Sequence, residues 1–441
     1  MPQQGGQRVA FVKSVGLEEA SSSVLNLKVL SSVFSYADCK ADKSLPIKST
    51  VMSVPPDLHQ QYLQACQNLS QPENPFIARV LQEADKSDNM KWTKGITLKI
   101  AGNNHLVPVQ RVTDEDLQVL AFVLRSSIFV TGLDLRYNVL TDVGAKHMAT
   151  FLQRNETLVY LRMTGNKIGN QGGMYFASML QINSTLEKLD LGDCDLGTQC
   201  LIAIATALTQ NKSVKAINLN RPLLYSQEEE TTVHVASMLK NNSSLVELHL
   251  CKHEIKSFGV ERLCEALYEN CSLRYLDLSC NRITRDDVKF LGELLKRNQT
   301  LEILDLNSNR IEDDGAVYLS EALALYNRTF QVLSVVSNNI SGKGLVALSQ
   351  AMKTNMELSY IYIWGNKFDD ATCMAFSELI QTGRLKPACT DVEPYEVDGY
   401  VYLAELSHGL KKHYYWTPSC GEVTNKAANA SLAVGAVLEY L

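Results

Sequence analysis

Apolar and polar positions alternate in a motif that recurs along the chain between residues 95 and 385. The segment Leu301–Ile311 has the form L-x-x-L-x-L-x-x-N-x-L, in which most x positions are polar. Matching segments begin at residues 130, 158, 273, 330 and 358, degenerate copies at 186, 214 and 245, and a frayed first copy at about 95. About ten units of this kind, spaced mostly by 28 residues, indicate a stacked repeat architecture.

The second half of each unit carries a different apolar pattern. A large apolar residue ends each pattern, and in most units another precedes it by four residues, as Leu291 precedes Leu295. This spacing predicts a helix that is buried on one side. Each unit is therefore predicted to be a short strand, a turn and a helix of about three turns.

The motif resembles the leucine-rich repeat family, and within it the long repeats of ribonuclease inhibitor. The resemblance implies an α/β solenoid shaped as a horseshoe, with a parallel sheet on the concave face and helices on the convex face. Physical reasoning agrees, because one unit cannot bury its leucines alone and because helices are wider than strands. The solenoid is predicted over residues 95–385, with units from about 95, 130, 158, 186, 214, 245, 273, 301, 330 and 358.

The asparagine of the motif is predicted to form a structural ladder along the stack. Its side-chain amide would lie inside the curve and bond backbone groups that the tight turn leaves open. In the degenerate units Cys194, Pro222 and His253 occupy this slot, and the ladder is expected to be weakest at Pro222. The predicted ladder residues are Asn138, Asn166, Asn281, Asn309, Asn338 and Asn366.

A second asparagine recurs between the units, in an Asn-x-Ser/Thr phrase that is formally an acceptor for N-linked sugar. The phrase repeats from Asn155 to Asn327, whereas Asn355 keeps the asparagine without the phrase. Asn298 follows the last helix leucine of its unit by three residues, where a helix must stop. We therefore interpret the phrase as a helix end, with asparagine in the left-handed conformation, and not as a glycosylation site.

Residues that alternate with the strand leucines are expected to be exposed on the concave face. A line of aspartates there is interpreted either as a solvated polar strip or as an acidic track for a basic partner segment. An aromatic cluster at the C-terminal end is either a docking hot spot or a binding place for the chain's own tail. The candidate partner-binding residues are Asp134, Arg136, Arg162, Asp190, Asp277, Asp305, Tyr360, Tyr362 and Trp364.

Two local features suggest further chemistry. The unit from residue 214 is three residues longer than its neighbours and contains the acidic stretch Pro222–Glu230, which is either a recognition loop or a tolerated insertion. His249 and Cys251 share a strand face, but no second Cys/His pair has zinc-like spacing, so no metal site is predicted. The sequence also lacks phosphate-loop, G-x-S-x-G and H-E-x-x-H motifs, so we expect neither a cofactor nor enzyme activity.

The two flanks differ in pattern from the repeats. Residues 1–50 are Ser-rich and predicted to be partly mobile. Residues 51–94 are predicted to form a helical N-terminal cap, because Asp57–Leu69 and Asn74–Asp85 have helical spacing. Such a cap would cover the apolar end of the first unit.

Residues 386–441 are predicted to form a mixed C-terminal cap and tail. Asp391–Gly399 is typical of turns, and Tyr400–Leu406 alternates like a strand. The basic and aromatic stretch Lys411–Trp416 either closes the last unit or contacts a partner, and Asn425–Leu441 is a short helix or a loose tail.

Composition restricts the class of protein further. The net charge is −6 and Lys/Arg are scattered, so no nucleic acid partner is expected. The N-terminus lacks the roughly 7–15 apolar residues of a signal peptide, and no stretch reaches the ~18–20 residues of a membrane span. The positions of the 11 cysteines suggest packed thiols. An intracellular protein of the cytoplasm or nucleus is therefore expected.

The tail phrase DGYVYLAELSHGLKKHYYWTP resembles one vertebrate group of leucine-rich repeat proteins. That resemblance implies a non-enzymatic protein of nucleolus and cytoplasm, linked to stem and germ cells and touching nucleolar phosphoproteins. The leading hypothesis is a protein-binding scaffold or adaptor that is monomeric outside its complex. Two alternatives stay open: a structural component of a large assembly such as the ciliary axoneme, and a regulator of a small GTPase, although the similar Ran GTPase-activating proteins typically carry a long acidic tail that is missing here.

Overall fold

The computed structural model describes residues 57–86, 95–104, 107–225, 229–406 and 434–436. These belong to the larger of two compact units, Ser53–Leu441. The other unit, Met1–Met52, lies outside the described residues, and so does the segment predicted to be partly mobile.

Ten parallel strands form one continuous sheet in chain order, and an antiparallel strand and a hairpin follow them. The repeat strands are β1 (Ile96–Lys99), β2 (Val130–Asp134), β3 (Tyr160–Arg162), β4 (Lys188–Asp190), β5 (Ala216–Asn218), β6 (Glu247–His249), β7 (Tyr275–Asp277), β8 (Ile303–Asp305), β9 (Val332–Ser334) and β10 (Tyr360–Tyr362). The later strands are β11 (Val392–Val397), β12 (Tyr400–Glu405) and β13 (Val434–Ala436).

Among the described residues, a helix follows each of the ten repeat strands and two more helices precede β1. The helices of the described residues are α1 (Leu58–Asn68), α2 (Pro75–Asp85), α3 (Asp114–Leu124), α4 (Asp142–Leu152), α5 (Gly169–Leu180), α6 (Thr198–Gln210), α7 (Glu230–Asn241), α8 (Ser257–Leu267), α9 (Arg285–Arg297), α10 (Glu312–Leu325), α11 (Gly342–Thr354) and α12 (Asp370–Gln381). The prediction of an α/β solenoid of strand, turn and helix units is therefore confirmed.

Strand pairing keeps equivalent residues of successive units side by side. Leu276 of β7 pairs with Leu304 of β8, and both are fully buried in the apolar core between sheet and helices. The residues on either side of each strand leucine point away from the helices. We call this side of the sheet the strand face; it is the face that the sequence predicts to be concave.

Helix α9 shows how particular residues fix the start, the end and the buried side of a helix. Asp287 accepts a hydrogen bond from the Thr284 backbone N–H at 2.8 Å and so satisfies a donor at the helix start. Lys296 and Arg297 lie in the last turn, where positive charge stabilises the helix dipole. The side packed against the core holds Asp287, Val288, Leu291, Gly292, Leu294 and Leu295.

The slot asparagines form a row of side-chain to backbone bonds. Asn281 Nδ2 donates to the Leu250 carbonyl of the preceding unit at 3.0 Å and to the Leu278 carbonyl of its own unit at 2.9 Å. Its Oδ1 accepts the His253 N–H at 3.0 Å. Equivalent donations to the preceding unit come from Asn138, Asn166, Asn309, Asn338 and Asn366.

Two of the degenerate units replace the asparagine with another donor. Cys194 Sγ lies 3.2 Å from the Met163 carbonyl, and His253 Nε2 lies 2.9 Å from the Leu219 carbonyl. Burial lowers the pKa of His253 to about 4, so its ring is neutral at pH 7 and donates through one nitrogen. Pro222 has no polar side-chain atom, so the row is interrupted in that unit.

The asparagines between units form a second row. Asn298 Nδ2 donates to the Leu267 carbonyl at 2.8 Å, and Oδ1 accepts the N–H groups of Thr300 and Leu301, each at 2.8 Å. Asn298 has φ −79° and ψ 123°, so the predicted left-handed conformation is wrong for it. An extended backbone lets the side chain reach back to the previous helix and forward to the next strand at once.

The left-handed conformation occurs one residue before each slot instead. There the chain turns sharply from strand to helix, with φ between 54° and 75°. Glycine meets this need without strain in only two of the nine units. The residues concerned are Tyr137, Gly165, Asp193, Arg221, Lys252, Cys280, Ser308, Ser337 and Gly365.

The predicted N-terminal helices are present as α1 and α2. Asp57 accepts the Gln60 N–H at 2.9 Å and Asn74 accepts the Phe76 N–H at 3.0 Å, so each helix starts at a capping side chain. The apolar residues of both helices belong to the same core as Leu98 of β1.

The C-terminal flank differs from the sequence prediction. The prediction of turns over Asp391–Gly399 is wrong at Val392–Val397. This segment forms strand β11, which pairs with β12. Pro394 is tolerated because a two-stranded hairpin has only edge strands. Asp398 and Gly399, with φ 52° and 80°, supply the two-residue turn that suits a hairpin.

The short strand β13 pairs antiparallel with β1, with Ile96 opposite Ala436. The expected helix or loose tail over Asn425–Leu441 is therefore wrong at Val434–Ala436. Pairing with β13 covers the edge of the sheet at β1. Lys411–Trp416, predicted to close the last unit or to contact a partner, lies outside the described residues.

Candidate functional site

From β2 to β10 the strand face carries three rows of side chains, with one residue from each of these nine units in each row. The first row holds Gly132, Tyr160, Lys188, Ala216, Glu247, Tyr275, Ile303, Val332 and Tyr360. The second row holds Asp134, Arg162, Asp190, Asn218, His249, Asp277, Asp305, Ser334 and Tyr362. The third row, two residues further on, holds Arg136, Thr164, Gly192, Asn220, Cys251, Ser279, Asn307, Val336 and Trp364.

The predicted exposure of the aspartate line is wrong. Asp134 and Asp190 are fully buried, and Asp277 and Asp305 are 4% and 8% exposed. Strands lie only ~4.8 Å apart, so side chains of neighbouring units cover one another. Each carboxylate also accepts the N–H group two residues later, as Asp305 accepts that of Asn307 at 2.9 Å. These aspartates therefore fix the backbone where each strand ends, and they form neither a solvated strip nor an exposed acidic track.

The two candidate arginines lie beside aspartates of the second row. Arg162 Nε donates to Asp190 Oδ2 at 3.0 Å, and Thr164 Oγ1 donates to the same oxygen at 2.5 Å. Arg136 Nε lies 3.3 Å from Asp134 Oδ2. Both arginines are only half-buried. They neutralise buried carboxylates and still reach the surface of the strand face.

His249 lies at the centre of a buried charged cluster that spans strands β6 to β8. Its Nε2 donates to Glu247 Oε1 at 2.5 Å and its Nδ1 to Asp277 Oδ2 at 3.1 Å. His249 is 1% exposed and Glu247 is fully buried. Asp277 also accepts the N–H of Ser279 at 2.9 Å. The imidazole therefore bridges two carboxylates from neighbouring units.

The charges of this cluster determine one another's protonation. Burial disfavours a charged imidazole, but the charge of Glu247 and the bonds to Asp277 and Glu247 raise the pKa of His249 to about 10. Despite its burial, Asp277 has a lowered pKa because His249 donates to it. Burial and the charge of Asp277 raise the pKa of Asp305 well above its usual range. His249 is therefore an imidazolium at pH 7 with both nitrogens engaged.

The predicted aromatic cluster divides into one buried and two accessible residues. Tyr362 is 1% exposed and packs with Tyr275, Ile303 and Val332 in an apolar patch on the strand face. The prediction that Tyr362 is exposed is therefore wrong, because β-branched and aromatic neighbours of adjacent strands cover it. The other two members, Tyr360 and Trp364, are half-buried.

Asp391 satisfies the backbone N–H groups that follow the last repeat strand, β10. In earlier units the N–H after the strand donates to a carbonyl of the next unit, as Val335 donates to Tyr362 at 2.9 Å. Within the described residues, no further repeat unit follows β10. Asp391 Oδ1 accepts the Ile363 N–H at 2.8 Å and Oδ2 accepts the Trp364 N–H at 3.0 Å. One carboxylate thus takes the place of the next strand.

Replacing Asp391 with alanine is expected to loosen the last unit. Two N–H groups lose their acceptors, which costs about 2 kcal/mol. Hydrogen exchange followed by mass spectrometry should show faster exchange in the peptide that contains Ile363 and Trp364. The neighbouring exposed carboxylate supplies the control, Glu393→Ala. Equal exchange in both variants would show that Asp391 does not close the repeat.

The acidic insertion contributes at least one structural residue. Glu229 Oε1 accepts the N–H groups of Lys256 at 2.6 Å and Gly259 at 3.1 Å, at the start of helix α8. Asp313 does the same for Ser341 at the start of α11. Tyr225 of the insertion is 92% exposed, and residues 226–228 lie outside the described part.

Three structural roles were not predicted from the sequence: the His249 bridge, the closure of the last unit by Asp391 and the helix cap from Glu229. The 28-residue repeat period contains a clue to the roles of His249 and Asp391. His249 bonds Asp277, which lies 28 residues later, and Asp391 lies 28 residues after Ile363. Alignment of polar residues, as well as leucines, on the period would have suggested both pairs.

In the part of the chain that the structure describes, no three His, Cys, Asp or Glu side chains are arranged to hold a metal ion. The nine cysteines within it are free thiols. A search of the same residues for a helix long and apolar enough to cross a membrane found none.

Known proteins match this chain over most of its length. A leucine-rich repeat family model matches residues 126–149, 154–177, 183–205, 269–292, 297–320 and 326–349. Human leucine-rich repeat-containing protein 34 is 57% identical over 405 residues, which are 86% of this chain and 87% of the human protein. The mouse protein of that name is 54% identical over 412 residues, 87% of this chain and 99% of the relative.

The chain belongs to the leucine-rich repeat-containing protein 34 family. The resemblance inferred from the repeats and the tail phrase is thereby confirmed. Membership of the leucine-rich repeat-containing protein 34 family is consistent with a protein-binding scaffold.

Two solved structures align with a smaller part of the chain. The leiomodin-1 actin-binding site 2 covers 34% of this chain and 86% of its own, at 18% identity and a TM-score of 0.30. The tropomodulin C-terminal domain of Caenorhabditis elegans covers 35% and 92%, at 14% identity and a TM-score of 0.31. Alignments this partial carry no argument about what the chain binds.

Proposed function

We propose that the chain is a non-enzymatic scaffold that binds a protein partner along the third row of the strand face. The observation that carries this is the position of two half-buried residues at opposite ends of that row, Arg136 and Trp364. Arginine and tryptophan are the residue types that most often dominate protein interfaces. Eight strand spacings separate them, roughly 38 Å along the sheet, which suits an extended partner surface.

The chemistry of the face favours binding over catalysis. His249 is the only histidine in the three rows, and both its nitrogens are engaged by carboxylates. A general base needs a nitrogen within reach of a substrate proton, and this imidazolium has none to offer. The buried cluster instead holds the shape of the face, so the half-buried third row is presented on a rigid support.

Proximity labelling in cells tests this proposal. The double variant Arg136→Ala/Trp364→Ala should lose a set of labelled proteins by about tenfold or more relative to the unsubstituted chain. The matched control is Phe258→Ala on helix α8, whose ring is 51% exposed away from the strand face. Unchanged labelling by the double variant, with unchanged thermal unfolding, would exclude the third row as the binding surface.

We further propose an intracellular placement, in cytoplasm and nucleus including the nucleolus, with a role in stem or germ cells. Support comes from five buried free thiols and from sequon asparagines whose amides are bonded inside the protein. Half-buried arginines also suit phosphorylated protein partners, because the guanidinium matches phosphate geometry. Imaging of the tagged chain in germ cells tests the placement, and exclusion from nucleoli would overturn that part.

The alternatives of an axonemal component and a GTPase regulator predict different behaviour. A fixed assembly component resists extraction of native tissue with high salt, whereas a scaffold of the proposed kind is released. A regulator accelerates GTP hydrolysis by a small GTPase in a purified mixture. Release by salt together with unchanged hydrolysis is the result that the scaffold proposal expects.

A further inference from the structure

The β11–β12 hairpin has one face whose large side chains are exposed. Tyr395 lies opposite Tyr402 and Val397 opposite Tyr400, so all four side chains share one face. They are 42–60% exposed, and the rings of Tyr395 and Tyr402 stack at 5.6 Å. On the other face Leu403 is 7% exposed and belongs to the repeat core. The hairpin is thus held in place while it presents three tyrosines and a valine outward.

The charged side chains of the hairpin itself are all of one sign. Residues 387–406 contain no lysine, arginine or histidine. The hairpin carries four exposed carboxylates, and a fifth acid, Asp391, is buried as the closing acceptor of the last unit. Glu393 lies on the tyrosine face and Asp398 lies in the turn beside it, whereas Glu396 and Glu405 lie on the opposite face of the hairpin.

We propose that this face, defined by Tyr395, Val397, Tyr400 and Tyr402, is a docking surface for a basic peptide segment of a protein partner. Stacked tyrosine rings attract cations over their faces and bind proline or aliphatic side chains. The surrounding carboxylates favour lysine and arginine and repel phosphate groups, which disfavours nucleic acid. Four side chains are far fewer than the roughly 20–30 residues a side of a stable dimer, so a short segment fits better than a second copy of the chain.

Selection from a phage-displayed library of random dodecapeptides, with the full chain as bait, tests the proposal. Enriched peptides should carry lysine or arginine next to proline or aliphatic residues. Synthetic fluorescent versions should bind the double variant Tyr395→Thr/Tyr402→Thr about tenfold or more weakly, because threonine keeps β-propensity but removes the rings. Tyr326→Thr, which removes a ring 50% exposed at the end of helix α10, is the control and should bind normally.

Further measurements test the role of charge, the location of the site and the identity of its occupant. Glu393→Gln/Asp398→Asn should weaken binding at low salt, and salt should weaken binding to the unsubstituted chain. The variant Arg136→Ala/Trp364→Ala should bind the peptides normally, so that failure here is distinguishable from failure of the proposed strand-face function. Absence of enrichment, or full binding by the tyrosine variant, overturns the proposal. Binding only after replacement of Lys411, Lys412 and Trp416 by alanine also overturns it, because the chain's own segment would then be the occupant.

Discussion

Replacement of His249 with alanine is expected to destabilise the central repeats by about 3–5 kcal/mol. The substitution leaves Glu247 and Asp277 close together and buried, without the cation that bridges them. An uncompensated buried charge costs far more than the packing lost with an imidazole ring. Urea unfolding measures the change in overall stability. Because a repeat protein can unfold in parts, hydrogen exchange in strands β6 and β7 should be measured as well, to locate the effect.

The same bridge predicts a pH dependence. The folded pKa of His249, about 10, lies above the ordinary value of 6.5 for an unfolded histidine. Protonation therefore favours the folded state, and this contribution is fully present below about pH 6.5 and is lost as the pH rises through about 10. Unfolding between pH 7 and 10.5 should show a loss of stability that is smaller in His249→Gln, whose side chain does not titrate.

His253 supplies the matched control for both measurements. Its ring is equally buried but neutral, and it occupies the ladder slot that asparagine holds in six other units. His253→Asn should therefore change stability by less than about 1 kcal/mol and leave the alkaline loss intact. Equal destabilisation by His249→Ala and His253→Asn would contradict the charged bridge.

The repeat period of the sequence predicts the fold because the residues that determine the fold make their contacts within one unit or between adjacent units. Leu276 is buried whatever its neighbours on the strand face are, since alternation alone turns it toward the helices. Asn281 likewise bonds backbone groups, which every unit provides. Patterns that depend on backbone geometry repeat, and a repeated pattern is visible in a single sequence.

The strand face was harder to predict because its packing depends on which side chains meet across units. Alternation places Asp277 on that face, but it does not predict the bond to His249 one unit earlier. Tyr362 is covered because it packs in one apolar cluster with residues of three earlier strands, Tyr275, Ile303 and Val332. Asp391 falls in a stretch whose composition is typical of turns, and its role as an acceptor arises only because β10 is the last repeat strand of the described sheet.

Substitution of Asn298 with alanine is expected to cost about 3–5 kcal/mol, close to the effect of His249→Ala. The side chain, 6% exposed, donates to the carbonyls of Leu267 and Asn270 and accepts two N–H groups of the next turn. Each buried backbone group left without its partner costs about 1–3 kcal/mol, and partial relaxation reduces the sum. Hydrogen exchange should rise at the end of helix α8 and at the start of strand β8.

Thr300→Ala separates this structural role from glycosylation. It destroys the sugar-acceptor phrase but leaves every Asn298 side-chain bond in place, since those bonds involve the backbone N–H of residue 300 and not its hydroxyl. In chains produced in animal cells, Thr300→Ala should unfold within about 0.5 kcal/mol of the unsubstituted protein. If Thr300→Ala were as damaging as Asn298→Ala, or if mass spectrometry found a glycan on Asn298, the ladder interpretation would fail. An amide with both its atoms bonded inside the protein cannot carry a sugar, so the two roles exclude each other at this position.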